Sequence, residues 1–395
     1  MKWSVHIALA ACALGAAGNL SGQANHPVGS LADSYNNFGL KLLVNIRQAA
    51  PQKNVFISPA GLALVMSMVA DGARAETLQE IRSTLQINGP MDLNHANQAL
   101  LEQLLGLDPK VKLEIANSVW TAQDAPVKPS FMADMRQFYR AESASVNFKD
   151  PATAGKINNW VSEHTQGKIP RMVEPPLDQN RMILIDAVYF KGDWMTTFDK
   201  KLTQDKPFSL EEGSKISHPR MSRSGEFAYY EDDGCQAVRL PYVGRRINMY
   251  VVLPKTSLSG FLQDLTLDRW RKMVLEFQSR RGTLGLPRFK LKNEYHLNEI
   301  LAAMGMPQAF TDKADFSGLS DEPLYIGWVK QKTYVDVNEE GTEAAAVSGI
   351  GMRAMVMQRP SSPFQMIVDR PFFVAIGDSQ SGVILFLGAI MDPRS

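Results

Sequence analysis

Cysteine is nearly absent from this sequence. Its 395 residues include only Cys12 and Cys235, and Cys12 lies in an N-terminal apolar stretch that we expect to be removed. A lone cysteine cannot form an internal disulfide, so the fold has to be stabilised by its hydrophobic core. The apolar content of 45% is ordinary for a globular protein with a sizeable core.

Motifs of enzyme active sites are also missing. The sequence contains no His-Glu-x-x-His, no Gly-x-Ser-x-Gly turn, no phosphate-binding loop and no dinucleotide fingerprint. These absences predict a protein that is not an enzyme and that binds neither a cofactor nor a metal. A Ser-His-Asp triad assembled from distant residues is the alternative that the sequence leaves open. The histidines are scattered without the spacing of metal ligands, at His6, His26, His95, His164, His218 and His296.

A strong net charge is absent too. The 42 Lys and Arg residues nearly balance the 41 Asp and Glu residues. No overall field therefore attracts the chain to nucleic acid or to an anionic membrane. The sequence predicts no nucleic-acid partner.

Long apolar runs are confined to the N-terminus. The run Ile7–Leu14 is followed by small residues, which is the layout of a secretory signal peptide. We expect a signal over residues 1–24, with cleavage after Ala24 or near Gly18, and hence a secreted protein. Leu9-Ala-Ala-Cys12 also resembles a bacterial lipobox, which would instead anchor the protein to a cell envelope through a lipid on that cysteine.

The rest of the chain, residues 25–395, shows no repeat, linker or low-complexity tract and is predicted to form a single domain. Ser58-Pro59 opens an apolar stretch that predicts a central helix. Thr77-Leu-Gln-Glu80 fits a capping box at the start of another helix. The nearly continuous apolar run Met182–Phe190 predicts a strand buried on both faces. Alternating side chains predict a further strand over Val111–Trp120.

The sequence does contain an unusual stretch of small residues. It runs from Glu339 to Ser348, directly after the strand-like Lys332–Val337. Gly341 marks a place where the backbone can turn freely. A segment without bulky side chains can enter between two existing strands, although a small-residue helix or a flexible loop is the other interpretation. Alternate side chains of an extended chain share a face. Thr342, Ala344 and Ala346 would lie on one face, and Glu343 and Ala345 on the other.

The motifs that follow favour the first interpretation. Arg359-Pro-Ser-Ser-Pro363 is typical of a loop, Asp369-Arg-Pro-Phe-Phe373 begins a strand pair, and Phe386-Leu-Gly388 lies near its end. Together with the stretch of small residues, these motifs resemble the serpin family. The resemblance covers roughly residues 30–392. Other serpin-like stretches occur in the family's order at Asn54–Pro59, Thr165–Pro170, Val188–Trp194, Leu240–Tyr242, Leu286–Phe289, Met304–Gly305 and Phe316–Gly318.

The resemblance implies an α+β fold of three β-sheets and eight or nine helices, with an exposed reactive-centre loop at about residues 339–363. It implies a monomer that inhibits a serine protease by suicide trapping. In that mechanism the target's serine attacks the loop, and the freed loop inserts into the main sheet as a new strand. A non-inhibitory serpin with a carrier, chaperone or storage role is the alternative. The implied hinge comprises Glu339, Glu340, Gly341, Thr342, Glu343, Ala344, Ala345 and Ala346, of which Thr342 is expected to enter the sheet first.

The family's count of seventeen residues from the hinge, starting at Glu339, implies a scissile bond between Met355 and Val356. The unbranched apolar side chain of Met355 suits the hydrophobic pocket of an elastase- or chymotrypsin-like protease. Cleavage between Arg353 and Ala354 is the alternative, and it would indicate a trypsin-like target.

The resemblance also implies a region where the main sheet opens, containing Ser58, Asp186, Trp194 and Gln331. Two of these residues depart from the family pattern. Asp186 stands where the family commonly has Asn, and Gln331 stands where it often has His. Because a carboxylate accepts and an amide donates, we expect Asp186 and Gln331 to replace one polar pair by another. If they do not meet, a buried charge is left poorly satisfied.

Heparin is not expected to be a partner. Many serpins bind it through a basic helix about fifty residues after the first strand, but the corresponding span, Ile87–Pro109, contains no Lys or Arg. A second basic patch is expected on a helix that another heparin-binding member uses, and we interpret it as a solvated helix face. This patch consists of Arg269, Arg271, Lys272, Arg280 and Arg281.

Overall fold

The computed structural model describes residues 27–105, 110–342 and 362–394. Within these ranges the chain forms nine α-helices and fifteen strands. The helices are α1 (Pro27–Ala49), α2 (Pro59–Gly72), α3 (Ala75–Thr84), α4 (Leu93–Leu105), α5 (Pro129–Asp134), α6 (Ala152–His164), α7 (Leu258–Gln263), α8 (Leu267–Leu275) and α9 (Asn298–Ala303). The strands are β1 (Val55–Ile57), β2 (Val111–Ala122), β3 (Glu142–Val146), β4 (Met182–Asp193), β5 (Gln204–Ser209), β6 (Lys215–Glu231), β7 (Cys235–Pro241), β8 (Ile247–Pro254), β9 (Gln278–Pro287), β10 (Phe289–His296), β11 (Trp328–Val337), β12 (Gly341–Thr342), β13 (Phe364–Ile367), β14 (Phe372–Asp378) and β15 (Ile384–Ile390).

The described strands form two hydrogen-bonded sheets rather than the three expected. One has six strands in the order β10-β11-β12-β4-β2-β3, and the other has nine, in the order β1-β15-β14-β8-β7-β6-β9-β13 with β5 on β6. The 17-residue strand β6 accounts for the difference. Its first residues pair with β5 and its last with β7, while β9 follows it along most of its length, so one ladder connects what would otherwise be separate sheets.

Helix α2 lies between the two sheets, as its apolar sequence predicted. It packs on β15 of the nine-stranded sheet and on β2 and β4 of the six-stranded sheet. All of its residues except Asp71 are buried. Ser58 caps its N-terminus, because the hydroxyl of Ser58 accepts a hydrogen bond from the backbone N–H of Gly61. The prediction of a central helix that begins at this point is confirmed.

The opposite face of the six-stranded sheet is covered by α6. Ile157 and Val161 of this helix pack against Ile183 and Ile185 of β4 and Trp120 of β2, in a second apolar cluster. Strand β4 is therefore buried on both faces, as predicted, and it cannot move without disturbing one of these layers.

The predicted capping box at Thr77-Leu-Gln-Glu80 is wrong. Helix α3 already begins at Ala75, so Thr77 lies inside it. The hydroxyl of Thr77 accepts a hydrogen bond from the backbone N–H of Asp315, and the carboxylate of Glu80 accepts one from the backbone N–H of Gln308. These two side chains attach a distant segment to the helix instead of capping it.

Strand β13, which follows the expected reactive-centre loop, is fixed at the edge of the nine-stranded sheet. It pairs in parallel with β9, with Phe364 opposite Gly282. A side chain at Gly282 would overlap the ring of Phe364, so the glycine makes room for it. The same ring stacks on Tyr229 with 3.9 Å between ring centroids.

Candidate functional site

The two central strands of the six-stranded sheet, β4 and β11, are parallel neighbours, with Ile183–Tyr189 opposite Trp328–Tyr334. We call the boundary between them the seam. Beyond Tyr189 and Tyr334 the two strands separate, and the two-residue strand β12 lies between them. It is antiparallel to both, with Gly341 opposite Asp193 and Thr342 opposite Gly192 and Val337.

Thr342 thus lies in the sheet before any cleavage of the chain. It had been expected to enter the sheet first; the structure places it there already, because the separated strand ends leave it both a backbone position and a polar partner. Its side chain is fully buried, and its hydroxyl is 2.7 Å from the hydroxyl of Tyr242. Glycine is needed at 341, since a Cβ atom there would overlap the carbonyl oxygen of Gly192.

Trp194 packs beside this end of the seam and contacts the residues around β12. Its indole stacks on Tyr242, with 4.5 Å between ring centroids, and its Nε1 donates a 2.9 Å hydrogen bond to the carbonyl of Asn338. Its backbone N–H donates to the carbonyl of Glu340. Burial raises the pKa of Tyr242 far above its usual value, so the phenol that meets Thr342 is neutral.

Glu339, the first residue of the hinge, is held by an ion pair. Its carboxylate is buried and accepts hydrogen bonds from Nε of Arg288, at 2.8 and 2.9 Å, and from the hydroxyl of Thr203. Burial alone would raise the pKa of Glu339, but the hydrogen bonds from Arg288 and Thr203 outweigh it and lower that pKa. The next residue, Glu340, pairs with Lys200 at the surface.

A second polar network crosses the seam where β4 and β11 are paired, with Asp186 opposite Gln331. Nε2 of Gln331 donates to Oδ2 of Asp186 and, at 2.8 Å, to the carbonyl of Ser58. The backbone N–H of Ser58 donates back to Oε1 of Gln331 at 3.1 Å. The expected contact between Asp186 and Gln331 is therefore present. Burial raises the pKa of Asp186 to about 8, against the smaller lowering effect of the Gln331 bond.

Only part of the second basic patch is engaged in contacts within the protein, and its Arg280 and Arg281 lie on β9 rather than on a helix face. Arg271 pairs with Asp33 and lies 3.7 Å from Asp268. Arg280 stacks over Tyr229 and donates to the carbonyl of Ser362. These contacts leave less of the patch available to an anionic ligand.

Several predicted residues lie outside the described ranges. They are the hinge residues Glu343, Ala344, Ala345 and Ala346, both candidate scissile pairs, Met355-Val356 and Arg353-Ala354, and the expected signal at residues 1–24 with Cys12. The residues that are described, Ser58, Asp186, Trp194, Gln331 and Glu339–Thr342, are brought together along the seam.

The sequence reasoning missed two residues of the site. Tyr242 and Arg288 were noted only as parts of the motifs Leu240–Tyr242 and Leu286–Phe289, not as site residues. Arg288 lies in the short connection between β9, which ends at Pro287, and β10, which begins at Phe289. Nothing in the sequence linked it to Glu339, 51 residues later.

In the described part of the chain, no group of three or more His, Cys, Asp or Glu side chains is placed to hold a metal ion. The described helices also include none that is long and apolar enough to span a membrane.

Comparisons with known proteins agree with this architecture. A family profile described as "Serpin (serine protease inhibitor)" matches residues 33–393. The chain is 34% identical to Leukocyte elastase inhibitor from Bos taurus over 92% of this chain and 99% of that protein. It is 31% identical to Heparin cofactor 2 from Rattus norvegicus over 88% of this chain and 74% of that protein.

Solved structures give the same result. The thermophilic serpin tengpin in its native state superposes with a TM-score of 0.83 and 29% identity, over 92% of this chain and 94% of that one. Human thyroxine-binding globulin complexed with thyroxine superposes with a TM-score of 0.86 and 25% identity, over 94% of this chain and all of that one. The chain belongs to the serpin family.

Proposed function

We propose that this serpin is a secreted monomer that inhibits a serine protease by inserting its cleaved loop into the seam. The observation that carries the proposal is the position of Gly341-Thr342 between β4 and β11. These two residues already occupy the first positions of an inserted strand, and they run antiparallel to both neighbours. Cleavage farther along the loop would let the rest of the strand follow.

The strand pairing supplies a driving force for insertion. In the intact chain β4 and β11 pair in parallel, and parallel pairing is slightly less stable per residue than antiparallel pairing. An inserted strand would replace one parallel boundary by two antiparallel ones. The 14 residues from Thr342 to Met355 would extend about 45 Å, and β4 with its 12 residues extends about 40 Å. The length of the loop therefore suits the seam.

The alternative is a carrier serpin, and one similarity favours it. The chain superposes well on thyroxine-binding globulin, whose structure holds thyroxine. Against a carrier role stand the small side chains after Thr342, which suit a segment that must enter a sheet. Incubation with a panel of serine proteases separates the two functions: an inhibitor forms a 1:1 complex that survives SDS, and a carrier is cleaved or ignored.

Cleavage is expected between Met355 and Val356, because the count of seventeen residues from Glu339 ends at Met355. The apolar side chain of Met355 favours an elastase- or chymotrypsin-like target. Mass analysis of the C-terminal peptide released from the complex should give a peptide that begins at Val356. Met355→Arg should transfer inhibition to trypsin-like proteases. A wild-type peptide that begins at Ala354, together with trypsin-like targets, would instead assign the scissile bond to Arg353.

Heparin is expected to change the rate of inhibition by less than about twofold, since α4 contains no Lys or Arg and two residues of the second basic patch, Arg271 and Arg280, are engaged by Asp33, Asp268 and Ser362. The second-order rate constant should be measured with and without heparin at two ionic strengths. Binding to Lys and Arg weakens with salt, so a large acceleration that fades at high salt would contradict this expectation. Loss of that acceleration on replacing Arg271, Lys272, Arg280 and Arg281 would identify the patch as the site.

A further inference from the structure

Two buried side-chain oxygens at the centre of the six-stranded sheet lack partners among the described residues. They are Oδ1 of Asn117 on β2 and Oδ1 of Asp186 on β4. The two residues are direct cross-strand neighbours in the antiparallel pair β2–β4, so their side chains leave the sheet on the same face with Cβ atoms about 5 Å apart. Buried polar atoms nearly always have partners, so two such oxygens on adjacent residues call for a common explanation.

The remaining atoms of both side chains are engaged, which fixes their orientation. Nδ2 of Asn117 donates a 3.0 Å hydrogen bond to the carbonyl of Gly61, leaving Oδ1 as an acceptor. Oδ2 of Asp186 accepts from Gln331. A Cβ atom at Gly61 would overlap Oδ1 of Asp186, so the backbone of α2 packs directly against this oxygen. Two buried acceptors thus lie on directly opposed residues, and neither has a donor among the described residues.

No charged side chain faces Asp186 from the elements packed around it. Alternation directs the charged residues of the three strands to the other face of the sheet. These residues are Lys112 and Glu114 of β2, Lys191 and Asp193 of β4, and Lys330, Lys332 and Asp336 of β11. On α2 the one charged residue, Asp71, lies at the far end of the helix, and β15, which accepts a hydrogen bond from Ser58, contains none. The phenol of Tyr295, from β10, binds the backbone N–H of Phe56.

We propose that a proton is a structural ligand of this sheet, carried by Oδ1 of Asp186 and donated to Oδ1 of Asn117. This one hydrogen bond satisfies both oxygens. It completes a chain of bonds from Ser58 through Gln331, Asp186 and Asn117 to Gly61, which connects β11, β4 and β2 to the start of α2. Burial raises the pKa of Asp186 to about 8, which keeps the carboxyl group protonated at neutral pH.

The proton makes opening of the seam dependent on pH, a consequence that rests on the proposed loop insertion. Parting β4 from β11 breaks the Gln331–Asp186 bond and admits water, which returns the carboxyl pKa toward its ordinary value of 3.8. Opening then releases the proton. Below the ordinary pKa both states hold the proton, and above about 8 neither does. Between these limits each pH unit favours the open sheet up to about tenfold, so the closed sheet weakens as pH rises.

Asp186→Asn tests the proton directly. The amide of the variant can donate to Asn117 and accept from Gln331, which reproduces the same bonds without a titrating group. Urea unfolding of both proteins between pH 5 and pH 8 should show the wild-type unfolding constant rising relative to that of the variant by on the order of a few hundredfold. The exposed Asp312→Asn is the control and should follow the wild type. Equal pH slopes for wild type and Asp186→Asn overturn the proposal.

A second measurement does not depend on the variant's folding. Infrared titration of the wild type should show the C=O band of a protonated carboxylic acid at pH 7 that disappears with a midpoint near 8. Absence of that band at pH 7 also overturns the proposal.

Peptide uptake separates the proton from loop insertion. A synthetic peptide with the sequence of residues 343–355, which leaves the position of Thr342 to the protein's own chain, should add to the seam of the wild type faster as pH rises from 5 to 8, and at a pH-independent rate in Asp186→Asn. If neither protein takes up the peptide at any pH, the proposed insertion fails, while the unfolding and infrared experiments still decide whether the proton is present. Uptake that depends equally on pH in both proteins contradicts the link between the proton and the seam.

Discussion

Thr342→Arg is expected to convert the protein from an inhibitor into a substrate of its target protease. Thr342 is fully buried beside Tyr242, and an arginine in its place would bury a charge without a partner, at a cost of several kcal/mol. The hinge should therefore withdraw from the seam, and insertion should slow by orders of magnitude. Acylation of the loop, which depends on the residues around Met355, should continue. The number of inhibitor molecules consumed per inactivated protease measures the change.

Two variants serve as controls for this prediction. Thr342→Ser keeps the hydroxyl that meets Tyr242 and should inhibit normally. Glu343→Arg places an arginine one residue later, where alternation directs the side chain away from the core of an inserted strand, and it should also inhibit. The cleaved wild type should unfold at a markedly higher temperature than the intact protein, and cleaved Thr342→Arg should lose most of that gain. Normal inhibition by Thr342→Arg would rule out insertion that starts at this hinge.

Arg288→Met is expected to lower the free energy of unfolding by about 3 kcal/mol. The substitution leaves the buried carboxylate of Glu339 with Thr203 as its remaining side-chain partner. The side chain of Arg288 is 42% exposed, so solvent screens part of the interaction and the loss falls at the low end of that expected for a buried pair. Urea denaturation at pH 7 measures it. Because the lowered pKa of Glu339 stabilises the fold only while the carboxylate is ionised, the difference should shrink as pH falls toward that pKa.

A double variant tests whether the loss comes from the unpaired charge. In Arg288→Met/Glu339→Gln no charge is left behind, so part of the stability should return. Arg171→Met is the matched control, since Arg171 and Glu174 form an ion pair that is exposed at both ends and should contribute less than about 1 kcal/mol. A loss as small for Arg288→Met as for Arg171→Met would mean that Glu339 is well solvated in solution.

Much of the fold could be predicted from local patterns. The apolar run Met182–Phe190 predicted β4 and the alternation over Val111–Trp120 predicted β2, and both strands end within three residues of the predicted limits. Ser58-Pro59 predicted the start of α2. Such patterns succeed because burial on one or two faces imposes a period on the sequence that is visible without any partner.

Features that depend on distant partners could not be predicted in this way. The capping motif was misread because Thr77 and Glu80 bind residues more than 200 positions away. The third sheet was implied by the family resemblance, and nothing in the sequence indicates that β6 runs without a break through two sets of neighbours. Similarly, Thr342 is already inserted because β4 and β11 separate beyond Tyr189 and Tyr334. Sequence patterns do not indicate the distance between two strands, so this position could not be predicted.

The positions of β12 and β13 have a consequence for the kinetics of the whole molecule. The chain enters one sheet at Gly341-Thr342 and the other at Phe364, so the segment between them is attached at both ends. While it is intact, complete insertion would require β13 to leave β9 and Phe364 to leave Tyr229. Under the proposed mechanism, this covalent connectivity would hold the chain in its uninserted form, and hydrolysis of a single peptide bond in the loop would remove the constraint. The protease that cuts the loop would then set the moment at which the loop inserts.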